Sequence, residues 1–230
     1  MNVLKCAVYL LIPGVMMLSS GCSFDLNNPR ADEYNVQIIG DSIFDLSGDI
    51  QEYLDVLSGK VYKDRSVSGE KIAGIISQYD RAISGTPTLK TVIADGGGND
   101  ILQGSADCDS DPLTSGCVDV IDYVADKMEI LLDDMYNDGV IDCVWLGYYY
   151  LTNDEEEKNE ALDYAYAIYP AVFGDTRLNL YGTGGAYLID PRADIVASQV
   201  KSDGIHPTAS GSQELATMIW DEMVTQDMYR

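Results

Sequence analysis

A serine hydroxyl becomes a useful nucleophile only when a neighbouring base takes its proton. The chain holds a single histidine, His206, in the stretch Asp203-Gly204-Ile205-His206-Pro207. Asp203 lies three residues upstream, where a loop or one turn can bring its carboxylate to one ring nitrogen. Such a bond holds the tautomer and stabilises an imidazolium, leaving the other nitrogen for a hydroxyl. The hydroxyl best placed to receive it is Ser42, in Ile38-Ile39-Gly40-Asp41-Ser42-Ile43. An acyl-transfer step also needs donors aimed at the oxyanion of its tetrahedral intermediate. The glycine-rich stretch Gly97-Gly98-Asn99-Asp100 holds a carboxamide, a group that stays a neutral donor at every relevant pH. Asp41 and Asp100 read as braces for their loops, and Gly97 and Gly98 as residues that shape the turn.

These residues are useful only if separate elements bring them together. The apolar run Val36 to Ile39 stops at a glycine, an acid and a serine, as a buried parallel strand does at its C-terminal turn. Gly48 to Leu57 carries helical spacing, Val61 to Val67 reads as a second strand ending at Ser68-Gly69, and Ile72, Ile75, Ile76 and Tyr79 share one helix face with Gly85 beyond its end. Leu89 to Ala94 is a central strand that runs into the Gly97-Gly98-Asn99-Asp100 turn. The longest amphipathic helix covers Val118 to Tyr136, with Val120, Ile121, Val124, Met128, Leu131, Leu132 and Met135 inward. A buried strand, Val140 to Leu146, leads to Tyr148-Tyr149-Tyr150, which suits either a pocket wall or ordinary packing. Glu155 to Tyr169 reads as a helix closed off by Pro170, Ala186 to Ile189 as the last strand, and Thr208 to Val224 as the closing helix. Strand and helix alternate, so the expected fold is α/β with a mainly parallel sheet and helices on both faces.

Four stretches in this order, Gly40-Asp41-Ser42, Ser68-Gly69, Gly97-Gly98-Asn99-Asp100 and Asp203-Gly204-Ile205-His206-Pro207, resemble the SGNH hydrolases, also called the GDSL family of esterases and lipases. The resemblance spans roughly residues 35 to 225. It implies a flavodoxin-like three-layer α/β/α sandwich, with Ser42, Asp203 and His206 catalytic. It is the resemblance, too, that implies an oxyanion hole made of the Ser42 and Gly69 backbone N–H groups and the Asn99 side chain. No serine stands in Gly-x-Ser-x-Gly, the mark of the larger α/β-hydrolase scaffold. The family's members cleave acetylated sugars, short-chain esters, lysophospholipids and thioesters.

Composition narrows the partners. The 38 acids against 14 basic residues leave a formal charge of −24, which disfavours nucleic acid and polyanionic substrates. Met1 to Gly21 has a basic start at Lys5, an apolar stretch from Ala7 to Leu18 and small residues before Cys22, the layout of a secretion signal. It resembles a bacterial lipoprotein signal that would lipidate Cys22, although Ser19 stands where such signals usually carry leucine. Ordinary cleavage and soluble export is the alternative. Ser23, where an aspartate would retain the protein at the inner membrane, favours the outer membrane. The expected organisation is a signal peptide (1–21), a tether (22–34) and one hydrolase domain (35–230). Cys108 and Cys117 bracket a turn-rich loop and are expected to form a disulfide in an exported protein. Cys143, inside an apolar run, reads as a buried free thiol. One histidine and no Cys-x-x-Cys leave no zinc-site spacing, and no metal or cofactor is expected.

The combined expectation is a monomeric cell-envelope hydrolase acting on short-chain acyl or O-acetyl carbohydrate esters through an acyl-Ser42 intermediate. A lysophospholipase or thioesterase of the same family, and a non-catalytic envelope lipoprotein that binds a ligand, are the rival readings.

Overall fold

The structure is a computed structural model that describes residues 30–46 and 48–230. The expected signal peptide (1–21), Cys22 and the expected tether as far as residue 29 lie outside the described residues. In chain order the elements are β1 (Glu33–Ile39), α1 (Ser42–Asp45), α2 (Asp49–Ser58), β2 (Tyr62–Asp64), α3 (Ile72–Gly85), β3 (Thr91–Ala94), α4 (Gly98–Leu102), α5 (Ser115–Asp138), β4 (Asp142–Leu146), α6 (Asn159–Gly174), α7 (Arg177–Tyr181), β5 (Ala186–Ile189) and α8 (Ala209–Thr225). A 3-10 segment, Asn153–Lys158, leads into α6. The strands form one parallel sheet in the order β2-β1-β3-β4-β5.

The alternation of side chains along each strand separates two cores. Ile39, Val92, Ala94, Cys143 and Trp145 pack against α3, α5, α6 and α7. Ile38, Ile93, Val144 and Leu146 point the other way, towards Ile50 and Leu54 of α2 and Leu215 and Ile219 of α8. The result is the three-layer sandwich expected. Its strand order reverses between β1 and β3, and open α/β sheets bind ligands outside the carboxyl ends of strands at such a reversal. Ile39 pairs with Ala94 across that point, so the turns carrying Ser42 and Asn99 leave the sheet side by side.

Four details differ from expectation. β1 starts at Glu33, inside the stretch read as tether, because Asp32 and Glu33 both donate to the Val61 carbonyl. β2 is only three residues long. α3 runs through Gly85 to a cap at Thr86. Pro170 does not end α6, which continues to Gly174. A proline removes one helical hydrogen bond, but Pro170 is exposed. The turns beyond it bury Phe173, whose ring meets Trp145 edge-on at 5.9 Å. Tertiary packing outweighs the lost bond. The Cys108–Cys117 disulfide is formed, and Cys143 is a buried free thiol whose ionisation is pushed up by burial.

Candidate active site

Ser42 and Asn99 follow the carboxyl ends of β1 and β3, whereas Asp203 and His206 come from a loop. Past Ile39, Gly40 passes so close to Asp95 and Phe44 that a Cβ would collide with both. Asp41 caps α1 by accepting from the Ile43 N–H at 3.0 Å, which sets Ser42 as the first helical residue. Asn99 lies in α4, after a glycine run in which Gly97 adopts a φ of 98°. Asp203 and His206 come from the loop before α8. There Asp203 Oδ1 accepts the N–H groups of Ile205 and His206 at 3.0 Å each.

The three residues meet as a relay. His206 Nε2 is 2.9 Å from Ser42 Oγ, and His206 Nδ1 is 2.9 Å from Asp203 Oδ2. Burial works to raise the Asp203 carboxyl, but the N–H groups of His206 and Ile205 and the imidazole outweigh it and hold the group down to about 2. Asp203 is therefore an anion wherever the protein is folded at ordinary pH.

Gly69, at a φ of 79°, lines the same cleft as Ser42, Asn99 and His206. The Asn99 amide donates to the Glu70 carbonyl at 3.0 Å and to Asp41 Oδ2 at 3.2 Å, while Gln103 donates to its oxygen at 2.8 Å. Both amide hydrogens are thus engaged, the bond to Asp41 being the longer. Asp100 braces its loop as expected, accepting the Ile72 N–H at 2.8 Å.

Beneath Ser42 lies a buried acidic pair absent from the sequence reading. Asp95 Oδ1 accepts the Asp41 N–H at 2.7 Å, while Asp95 Oδ2 has no partner among the described residues. Burial first, then the neighbouring Asp41 carboxylate, pushes the Asp95 carboxyl well up. Burial also raises Asp41, but the Ile43 N–H and the Tyr148 hydroxyl, which donates at 2.6 Å, oppose the rise. Among the described residues Asp41 accepts from the Ile43 N–H, the Tyr148 hydroxyl and the Asn99 amide, and Asp95 only from the Asp41 N–H, so the surroundings favour negative charge on Asp41 over Asp95. Tyr148 also accepts the Gly98 N–H at 3.1 Å and so ties β4 to both turns. Its place after β4 was the only signal available from sequence.

The architecture matches solved structures. A protein from Streptococcus pneumonia described as a platelet activating factor superposes with a TM-score of 0.62 at 16% identity, covering 86% of this chain and 87% of that one. The acetylxylan esterase Axe2 from Geobacillus stearothermophilus gives 0.58 at 14% identity, covering 82% and 93%. A protein from Slackia heliotrinireducens described as an SGNH hydrolase gives 0.57 at 15% identity, covering 82% and 97%. The fold is that of the SGNH hydrolases. No family model and no curated protein sequence matches the chain.

Two spaces flank Ser42 in this SGNH fold. One is an open cleft of about 370 Å³ and of mixed character, in which Ser68, Gln103, Glu155 and His206 stand beside Leu46, Leu102 and Ile205. The other is a small apolar cavity of about 50 Å³, walled by Ile43, Ile101, Tyr148, Tyr149, Leu151 and Leu162. Tyr148 and Tyr149 thus face the site, whereas Tyr150 is exposed and bonds to Asp163. Among the described residues no group of His, Cys, Asp and Glu could hold a metal ion, and no helix is long and apolar enough to cross a membrane.

Proposed function

We propose that this protein is a serine hydrolase that cleaves carboxylic esters of short acyl groups, O-acetyl carbohydrate esters among them, through an acyl-Ser42 intermediate. One observation carries the reading: an unbroken chain of contacts from Ser42 Oγ through both ring nitrogens of His206 to the ionised Asp203. In the forward step Nε2 takes the Ser42 proton as Oγ bonds to the ester carbonyl carbon, and the carbonyl π electrons move to oxygen. The Ser42 and Gly69 N–H groups and the Asn99 amide stabilise that oxyanion. Collapse breaks the bond to the alcohol oxygen, which leaves with the Nε2 proton. A water then repeats the sequence on the acyl-enzyme, releasing the acid and restoring Ser42.

The similarity of the fold to that of an acetylxylan esterase supports ester hydrolysis without choosing the ester. Hydrolysis of 4-nitrophenyl butyrate tests the proposal. Turnover should be lost in Ser42→Ala and fall by several orders of magnitude in His206→Gln. A His206→Gln protein with wild-type turnover would return Ser42 to being a turn residue. We further propose that the enzyme works in the cell envelope, held by acyl chains on Cys22. Metabolic labelling with an alkynyl fatty acid should mark the wild-type protein and not Cys22→Ser, and equal labelling would refute the anchor.

A further inference from the structure

The two spaces beside Ser42 are unequal in a way that divides the substrate between them. His206 must deliver its proton to the departing alcohol, and it lines the open cleft of mixed character but not the apolar cavity. The alcohol therefore belongs in the cleft, where Ser68, Gln103 and Glu155 offer hydrogen bonds. The acyl chain belongs in the apolar cavity, which contains Ser42 and Asn99 but no general acid.

A lysine, Lys158, stands in the wall of the apolar cavity. Its Nζ pairs with Asp109 Oδ1 at 2.8 Å and Glu155 Oε2 at 3.0 Å. Asp109 belongs to the loop bracketed by Cys108 and Cys117, so a covalently closed loop pins one end of the latch. Glu155 belongs to the wall of the alcohol cleft, so the latch touches both spaces. With its head doubly paired and its side chain only 17% exposed, Lys158 presents its methylene stem to the cavity.

We propose that this cavity is an acyl pocket whose depth is set by Lys158, and that the latch limits the enzyme to acyl chains of about four to six carbons. The inference rests on the serine-hydrolase reading and refines its substrate. A volume of about 50 Å³, at roughly 10–15 Å³ for each water-sized group, holds about three to five such groups beyond the carbonyl carbon. Acetyl leaves most of the pocket unfilled, and decanoyl cannot enter without displacing Lys158. Filling the pocket should raise kcat/KM by about fourfold per methylene. Butanoyl should thus exceed acetyl by roughly 15-fold, with a fall beyond hexanoyl.

The test is the kcat/KM profile of 4-nitrophenyl esters from acetyl to dodecanoyl, measured for wild-type protein, Lys158→Ala and Leu162→Trp. Wild type should peak between butanoyl and hexanoyl. Lys158→Ala should move the peak to octanoyl or longer, with at least a tenfold gain for octanoyl relative to butanoyl. Leu162→Trp, which fills the cavity from another wall, should move the peak to acetyl, so the proposal stays testable if either variant fails to fold. A wild-type peak at acetyl or at decanoyl, or a folded variant with an unchanged profile, overturns the pocket assignment. Folded wild-type protein that hydrolyses none of the esters overturns the serine-hydrolase reading itself.

Discussion

Replacing Asp203 by asparagine separates the two tasks of its carboxylate. Oδ1 holds the loop by accepting the Ile205 and His206 N–H groups, and Oδ2 orients the imidazole from 2.9 Å. Asparagine keeps an acceptor for the backbone but can present an N–H to Nδ1. The ring is then favoured in the tautomer that carries its proton on Nε2, facing Ser42, where it cannot act as a base. Loss of one charge-assisted hydrogen bond in the transition state is worth roughly 1.5–3 kcal/mol, or about 10- to 150-fold in rate. Favouring the wrong tautomer through a neutral bond of about 1 kcal/mol adds roughly a further fivefold. The expected fall in kcat is therefore about 10²–10³. That is smaller than the roughly 10⁴ associated with a buried triad aspartate, because the Asp203 side chain is 45% exposed and water can share its role. Steady-state hydrolysis of 4-nitrophenyl butyrate by wild type and Asp203→Asn measures this directly, with KM expected to change little. The wild-type carboxyl is held down to about 2, so its contribution to stability is present above the ordinary carboxylate range and lost only as pH falls through about 2. A variant within threefold of wild type, or one impaired only in KM, would refute the orienting role.

Three further outcomes follow from the same geometry. Asn99→Ala should lower kcat by roughly 10²–10³. It should also lower the melting temperature, because the amide holds the Glu70 carbonyl and Asp41 together; near-normal turnover would make Asn99 a loop residue only. Burial pushes Asp64 up to about 6 against the opposing bonds from Ser66 and Gln51, so its stabilising contribution is complete below the ordinary carboxylate range and lost as pH rises through 6. Urea unfolding should therefore show wild type losing about 2–3 kcal/mol relative to Asp64→Asn between pH 4 and pH 7, and a constant difference would show that the carboxyl titrates normally. With a formal charge of −24, matched neutral and anionic esters should differ in kcat/KM at low salt and converge at high salt; equal rates at low salt would remove long-range charge from the account.

The strands and the relay were legible because each leaves a local mark. An apolar run ending in Gly40-Asp41-Ser42, a glycine run before Asn99, and Asp203 three residues before the one histidine can each be read within a few positions. What escaped notice depends on contacts between distant segments. Asp95 and Asp41 are 54 residues apart, and Tyr148 and Asp41 are 107 apart. Nothing local says that these turns will share one buried network. The Lys158–Asp109 latch was equally hidden, since with 38 acids in the chain no particular lysine partner stands out. Pro170 misled because its local preference to end a helix was outweighed by the burial of Phe173 further on.

The central claim is that Ser42 is a nucleophile activated by His206. A fluorophosphonate reacts with such a serine at phosphorus, expelling fluoride and leaving a stable phosphonyl ester. Intact-protein mass spectrometry after treatment should show a single added phosphonyl group. Peptide mapping should place it on Ser42, and Ser42→Ala and His206→Gln should remain unmodified. An unmodified wild-type protein, or a label on another residue that survives in Ser42→Ala, would contradict the account.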